Sequence, residues 1–221
     1  MLLAITGLRR EARIAAGDTV KAVSIGGDVR SLQAQIDRLS ATPISGVLSF
    51  GIAAALSPAL KPGDCVVATR VTASGREYFS NEKWLDAIAA RMPWAHLDTI
   101  AGSSRLLASV SDKATLYAAS GAVAADMESH LAAEFALARH LPFVAIRTIS
   151  DASARALPPA ARAALKPDGS LDSWSIAKSI LARPGQIPDL IRTERETEKA
   201  FAALFRCLDG LGSSFAFPDL G

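Results

Sequence analysis

The stretch from Ala124 to Ser153, A-A-D-M-E-S-H-L-A-A-E-F-A-L-A-R-H-L-P-F-V-A-I-R-T-I-S-D-A-S, constrains the fold more than any other part of the chain. An acidic cluster, Asp126 and Glu128 around Met127, opens a helical pattern; an apolar strand, Phe143 to Ile149, follows and delivers Ser150 and Asp151. A short αβ connection makes the helix run back along the sheet, so the strand's end returns to the side where the chain entered the helix. Glu128 and Asp151 are therefore expected to line one pocket. Glu128, Leu131, Phe135 and Ala138 recur at i, i+3, i+7 and i+10, so Glu128 points with core residues. A carboxylate on that side needs a partner or a task. Arg147, inside the apolar strand, is in the same position, and the plainer alternative is that the two satisfy one another.

The rest of the chain repeats this alternation. Leu2 to Leu8 reads as a strand running through Gly7 into the helical R-R-E-A-R-I-A, which puts Glu11 at a strand's C-terminal end, where binding groups gather in open α/β sheets. A solvated first-turn Glu is the alternative. Asp18 to Ile25 is a second strand; Gly26-Gly27 then makes a tight turn with Asp28 as N-cap of a helix whose Val29, Leu32, Ile36 and Leu39 share a face. Gly46 to Phe50 is a strand, and Gly51 to Ala55, small except for Ile52, lets backbone N–H groups approach a ligand or pack tightly. Further strands are expected at Cys65 to Thr72, Leu97 to Ala101 and Val123 to Asp126, with helices at Ser80 to Met92, Asp112 to Ser120, Asp172 to Ala182 and Thr193 to Leu211. The segment after Asp151 carries Pro158, Pro159, Pro167 and Gly169, a candidate mobile cover that could swing Arg155 or Arg162 toward the site. Alternating strands and helices indicate an α/β domain, a three-layer α/β/α sandwich around a central mixed sheet, with one domain over residues 1–221.

Composition narrows the function classes. Half of the 221 residues are hydrophobic, which excludes a disordered chain. Twenty-four Lys and Arg against 22 Asp and Glu, scattered rather than clustered, leave no nucleic-acid footprint and favour a small-molecule partner. Cys65 and Cys207 lack C-x-x-C spacing and are expected to stay reduced; His96, His130 and His140 form no metal-ligand spacing. Phe79, Trp84 and Trp94 read as core or interface residues rather than a stacking box. No transmembrane run or signal sequence is recognisable, so the cytoplasm is the expected compartment, with peripheral membrane contact left open.

Three motifs together resemble the nucleoside phosphorylase and nucleosidase family: S-F-G-I-A-A-A-L-x-P-x-L-K-P-G-D at 49–64, A-D-M-E-S at 125–129 and P-F-V-A-I-R-T-I-S-D at 142–151. The methylthioadenosine/S-adenosylhomocysteine nucleosidase branch is similar here. The N-terminal G-L-R-R-E-A-R, the Pro-rich cover and the C-terminal helices look most like the hopanoid-associated phosphorylases, which implies adenosylhopane as substrate. The resemblance implies that Asp151 protonates the leaving purine at N7, which requires burial to hold its proton. It implies that Glu128 grips the ribose hydroxyls, that Met127 packs on the sugar and that Glu11 orients or deprotonates an attacking water. Gly51, Ile52, Ala53, Ser150 and Leu106 would line the substrate, and Arg105 stands where the nucleosidase branch stacks an aromatic on adenine. Ser49 and Ile52 replace the Arg and Ser with which phosphorylase relatives hold phosphate. Water is therefore favoured as nucleophile, with phosphate kept open as co-substrate through Arg9 and Arg10. No metal or organic cofactor is expected, and a homo-oligomer is. Alternatives are a methylthioadenosine- or futalosine-type nucleosidase, or a catalytically inactive nucleoside-binding module.

Overall fold

A computed structural model describes residues 1–25, 35, 43–164 and 173–218. The expected Gly26-Gly27 turn, Asp28 cap and the following helical face lie outside these residues, as do Pro167, Gly169 and the side chain of Arg162. The described chain runs β1 (Leu2–Thr6), α1 (Arg9–Ala15), β2 (Val20–Ser24), β3 (Gly46–Ala55), β4 (Cys65–Ala73), β5 (Arg76–Phe79), α2 (Glu82–Arg91) and β6 (His96–Gly102). It continues with α3 (Val110–Ser120), β7 (Ala124–Asp126), α4 (Ser129–Ala138), β8 (Phe143–Asp151), α5 (Pro159–Ala164), α6 (Ser173–Ala182), a 3₁₀ turn (Pro184–Gln186) and α7 (Ile187–Leu211).

The sheet is central and mixed, as the alternation implied, and part of it closes on itself. β3 pairs β8 in parallel, β8 pairs β4 antiparallel, β4 pairs β6, β6 pairs β7, and β7 returns to β3 through Ala54 and Ala55. β1 lies beside the N-terminal half of β3, with β2 outside it. Closure removes edges from that part of the sheet. At the far side, β4 and β5 form a hairpin whose Ser74 and Gly75 both have positive φ, the geometry of a two-residue turn matched to strand twist.

β3 is longer than its sequence suggested. Gly51 to Ala55 continue the strand because small side chains let it run between β7 and β8, and a register shift at Ala53/Ala54 bends it where they flank it. That bend sets Asp151, the last residue of β8, opposite Ala54, while Ala125 of β7 pairs with Ala54 from the other side. Ser150 and Asp151 thus belong to the strand instead of following it.

Apolar side chains cover the sheet in two large clusters. One gathers Leu3, Ile5, Val47, Val66, Leu131, Ala132 and Ile149; the other gathers Phe50, Val67, Trp84, Ile88, Phe201, Leu204 and Phe215. Of the aromatics read as core or interface, Trp84 is fully buried and donates from Nε1 to the Phe215 carbonyl at 2.8 Å, whereas Phe79 and Trp94 are exposed. Cys65 and Cys207 are free thiols in the same core, their sulfurs 3.4 Å apart. Side-chain caps fix two helix starts: Asn81 accepts from Trp84 N–H, and Ser109 accepts from Asp112 N–H. No described helix is long and apolar enough to cross a membrane.

Candidate functional site

Glu11 is the third residue of α1, and its carboxylate folds back onto the turn that precedes the helix. Oε2 accepts the N–H groups of Gly7 at 2.9 Å and Leu8 at 2.7 Å, satisfying donors that a helix start leaves open. Oε1 reaches across to β3 and accepts the Ile52 N–H at 2.8 Å. The N–H groups that small residues were expected to offer a ligand thus include one committed to Glu11. Gly51 makes this approach feasible, since a Cβ there would sit 2.6 Å from Glu11 Oε1. Burial pushes the Glu11 carboxyl above its ordinary range, opposed by the charge of Arg147 and by the N–H groups of Leu8, Ile52 and Gly7.

Glu128 occupies the position just before α4 instead of lying inside the helix, makes no side-chain capping bond, and is buried. Its carboxylate abuts Gly7, where a Cβ would come within 2.6 Å of Oε1. Burial, reinforced by the neighbouring Asp126, lifts Glu128 to about 8 against the pull of Arg147. The expected alternative, mutual satisfaction of Glu128 and Arg147, is corrected in one respect: the residue bonded to Arg147 is Asp126. Arg147 donates from Nε to Asp126 Oδ2 and from Nη2 to Ser49 Oγ at 2.6 Å, while Ser129 donates to Asp126 through both N–H and Oγ. Burial alone would lower Arg147; the carboxylates of Asp126, Glu128 and Glu11 reverse that and raise it. Ser49 is thus held by a buried guanidinium instead of facing a ligand.

Asp151 is buried, as its expected role required, but it does not stand alone. It forms an ion pair with fully buried Lys113 of α3, and its Oδ1 accepts from Ser150 Oγ at 2.6 Å. Lys113 was missed in the sequence. It sits on a helix with little amphipathic contrast, and only the fold brings it behind β8.

These side chains meet at one cavity of about 970 Å³, near the top of the usual range of about 300–1,000 Å³ for small-molecule sites. Glu11, Asp126, Met127, Glu128, Ser150 and Asp151 line one end, together with Ile52 and Ala53; Gly51 does not line it and instead makes room for Glu11. Arg105 and Leu106 also line it, although Arg105 is largely exposed and paired with Asp112, so its guanidinium is not a free stacking plane. Arg10 is bonded to Glu198 and lies 3.9 Å over the Phe201 ring, which engages one of the two expected phosphate clamps. Arg155 faces Asp189 and Glu196 instead of swinging in. The far part of the cavity was unforeseen: Leu157, just before α5, and Ala160, Ile180, Ile187, Leu190 and Ile191 of α5, α6 and α7 form an apolar wall, with Glu194 and Glu198 of α7 also in the lining. Among the described residues, no three His, Cys, Asp or Glu side chains converge so as to hold a metal ion.

The model of the phosphorylase superfamily matches residues 17–167, more than half of the chain, and the chain belongs to that superfamily. Solved structures agree in fold. The futalosine hydrolase of Helicobacter pylori superposes with a TM-score of 0.58 at 18% identity, over 68% of this chain and 87% of that one. A methylthioadenosine/S-adenosylhomocysteine nucleosidase from Colwellia psychrerythraea 34H, in complex with adenine, gives 0.62 at 18% identity, over 81% and 93%. The corresponding Helicobacter pylori nucleosidase gives 0.61 at 17% identity, over 94% and 97%. No curated protein matches the sequence significantly.

Proposed function

We propose that the chain hydrolyses the N-glycosidic bond of an adenine nucleoside bearing a large apolar group at the 5′ carbon, and releases adenine. The observation that carries the reading is that Glu11, Glu128 and Asp151, from three separate elements, line one cavity that also takes in a group of apolar side chains, Leu157, Ala160, Ile180, Ile187, Leu190 and Ile191. Glycosidic cleavage builds positive charge on the ribose and negative charge on the departing purine. A carboxylate end stabilises the first, and a proton on Asp151 serves the second. Glu11, fixed by three backbone N–H groups, takes the proton of the attacking water. Glu128 binds the ribose hydroxyls and Met127 packs on the sugar.

Water is favoured over phosphate because a phosphate oxyanion would sit among Glu11, Asp126 and Glu128, while Arg147 is buried and bonded to Asp126 and Ser49. The apolar wall supports a substituent larger and less polar than methylthio. Adenosylhopane, with a role in hopanoid biosynthesis, is the candidate of that chemistry, and the superfamily's nucleosidases are the source of the adenine assignment.

The test is a series of 5′-alkylthioadenosines of increasing chain length, assayed with and without phosphate. Each buried methylene is worth about 0.8 kcal/mol, so kcat/KM is expected to rise roughly fourfold per carbon until the wall is filled. A flat series would remove the apolar substituent, and strict phosphate dependence with ribose 1-phosphate as product would replace hydrolysis by phosphorolysis.

A further inference from the structure

Lys113 is the buried residue of α3, and nothing in the packing of an otherwise half-exposed helix asks for an ammonium there. Its Nζ donates to Asp151 Oδ2 and, at 2.9 Å each, to the carbonyl oxygens of Ala152 and Arg155. Three N–H donors thus meet three acceptors, and the ammonium has nothing left to offer a ligand. Lys113 does not line the cavity, whereas Asp151 does. The other charged groups nearby are engaged elsewhere: Asp112, its neighbour on α3, by Arg105, and the Arg155 guanidinium by Asp189 and Glu196. The charge of Lys113 is therefore directed at Asp151.

The geometry points to Lys113 as a positioning residue for the leaving-group acid. It clamps Oδ2 so that Oδ1, beside Ser150, is the oxygen left for the purine, and it stabilises the carboxylate that remains once the proton has gone. This deepens the reading of Asp151 as the acid and rests on it. In the step, Asp151 carries one proton, taken from solvent as the nucleoside seats. The bond between C1′ and N9 breaks, its electron pair passes into the purine, and the proton moves from Asp151 to N7. Water adds its oxygen to C1′ and gives a proton to Glu11. Asp151 ends as an anion beside the Lys113 ammonium, so the stabilisation is largest after the proton has moved, which is where a charge accelerates the reaction.

A double-mutant cycle on 5′-butylthioadenosine tests this. Lys113→Met and Lys113→Gln, the second keeping an N–H donor for the carbonyls, are made alone and with Asp151→Asn, and adenine binding is measured for each to verify an intact base site. Alone, each Lys113 variant is expected to lower kcat about tenfold or more with KM changed by less than about threefold. In the Asp151→Asn background each is expected to change kcat by less than about twofold, because the group through which Lys113 acts is gone. Lys113→Arg should recover most of the loss. Losses that multiply across the two positions overturn the inference while leaving Asp151 as the acid; a wild-type rate in Asp151→Asn alone overturns the acid reading itself. Should Lys113→Met not fold, the Lys113→Gln cycle decides by the same criteria.

Discussion

The two ends of the cavity are built by opposite means. The strand end is polar and locked: Asp126, Arg147, Ser49 and Ser129 form a buried knot beneath the carboxylates, and Glu11 is fixed from behind by backbone N–H groups, Asp126 by a guanidinium and Asp151 by an ammonium. The helical end carries an apolar group, Ile180, Ile187, Leu190 and Ile191, beside Glu194 and Glu198, and Ile187 and Ile191 remain partly exposed. A preorganised charge array suits chemistry that must not move, because its orientation cost has been met in folding. An apolar wall of helix surface discriminates by area alone and tolerates substitution. The contrast teaches that reaction and substrate choice are separable here.

Removing Arg147 is the severest way to break the polar end. Arg147→Met leaves Asp126 buried against Glu128 and Glu11 with no cation among them, and loss of one partner of such a pair costs about 3–5 kcal/mol. Urea unfolding reads this directly, and a loss below about 1 kcal/mol would mean that the knot is not structural. Asp151→Asn attacks the chemistry, and by leaving buried Lys113 without its counter-charge also lowers stability: kcat of the folded variant should fall at least about 100-fold with nucleoside binding retained, since an amide has no acidic proton to give the purine. Unchanged turnover would take Asp151 out of the mechanism.

At the helical end, Leu190→Ser with Ile191→Ser should lower kcat/KM about tenfold or more for a long 5′-alkyl substrate and leave 5′-methylthioadenosine within about twofold. Equal losses on both would make the wall part of the reaction machinery and erase the contrast. The smallest effect is in stability against pH. Glu128 is lifted to about 8, so between the ordinary carboxyl range and about 8 the folded chain holds a proton that the unfolded chain has released. Stability therefore falls as pH rises through that window. Glu128→Gln has no such proton, so its Tm should drop less than that of the wild type between about pH 5 and about pH 9. A drop of wild-type size would place the sensitivity elsewhere.

The strand end was largely legible in the sequence and the helical end was not. Apolar periodicity and an abrupt stop at Ser150-Asp151 mark a strand that carries a carboxylate to the sheet's end, and a single charge within it, Arg147, announces a buried partner. Which partner is a matter of side-chain reach: Asp126, the last residue of β7, bonds the guanidinium, whereas Glu128 turns toward Gly7. Lys113 gave no signal because the helix that bears it presents no continuous apolar face. The last helix was expected from Thr193, yet α7 begins at Ile187 with Pro188 in its first turn, where proline is accommodated because no N–H is required, and the apolar residues Ile187, Leu190 and Ile191 lie in the part of the helix that was not expected. Gly51 to Ala55 left two readings open, ligand approach or tight packing, since small residues suit a crowded strand as well as a loop, and the structure continues the strand through them.

The most direct test of the account is the mass of the sugar released from an adenine nucleoside in water enriched with heavy oxygen, with phosphate present. The account predicts free adenine and a free sugar carrying the heavy oxygen at C1′, at a rate that phosphate does not change. Ribose 1-phosphate without the label, formed only when phosphate is supplied, would contradict it.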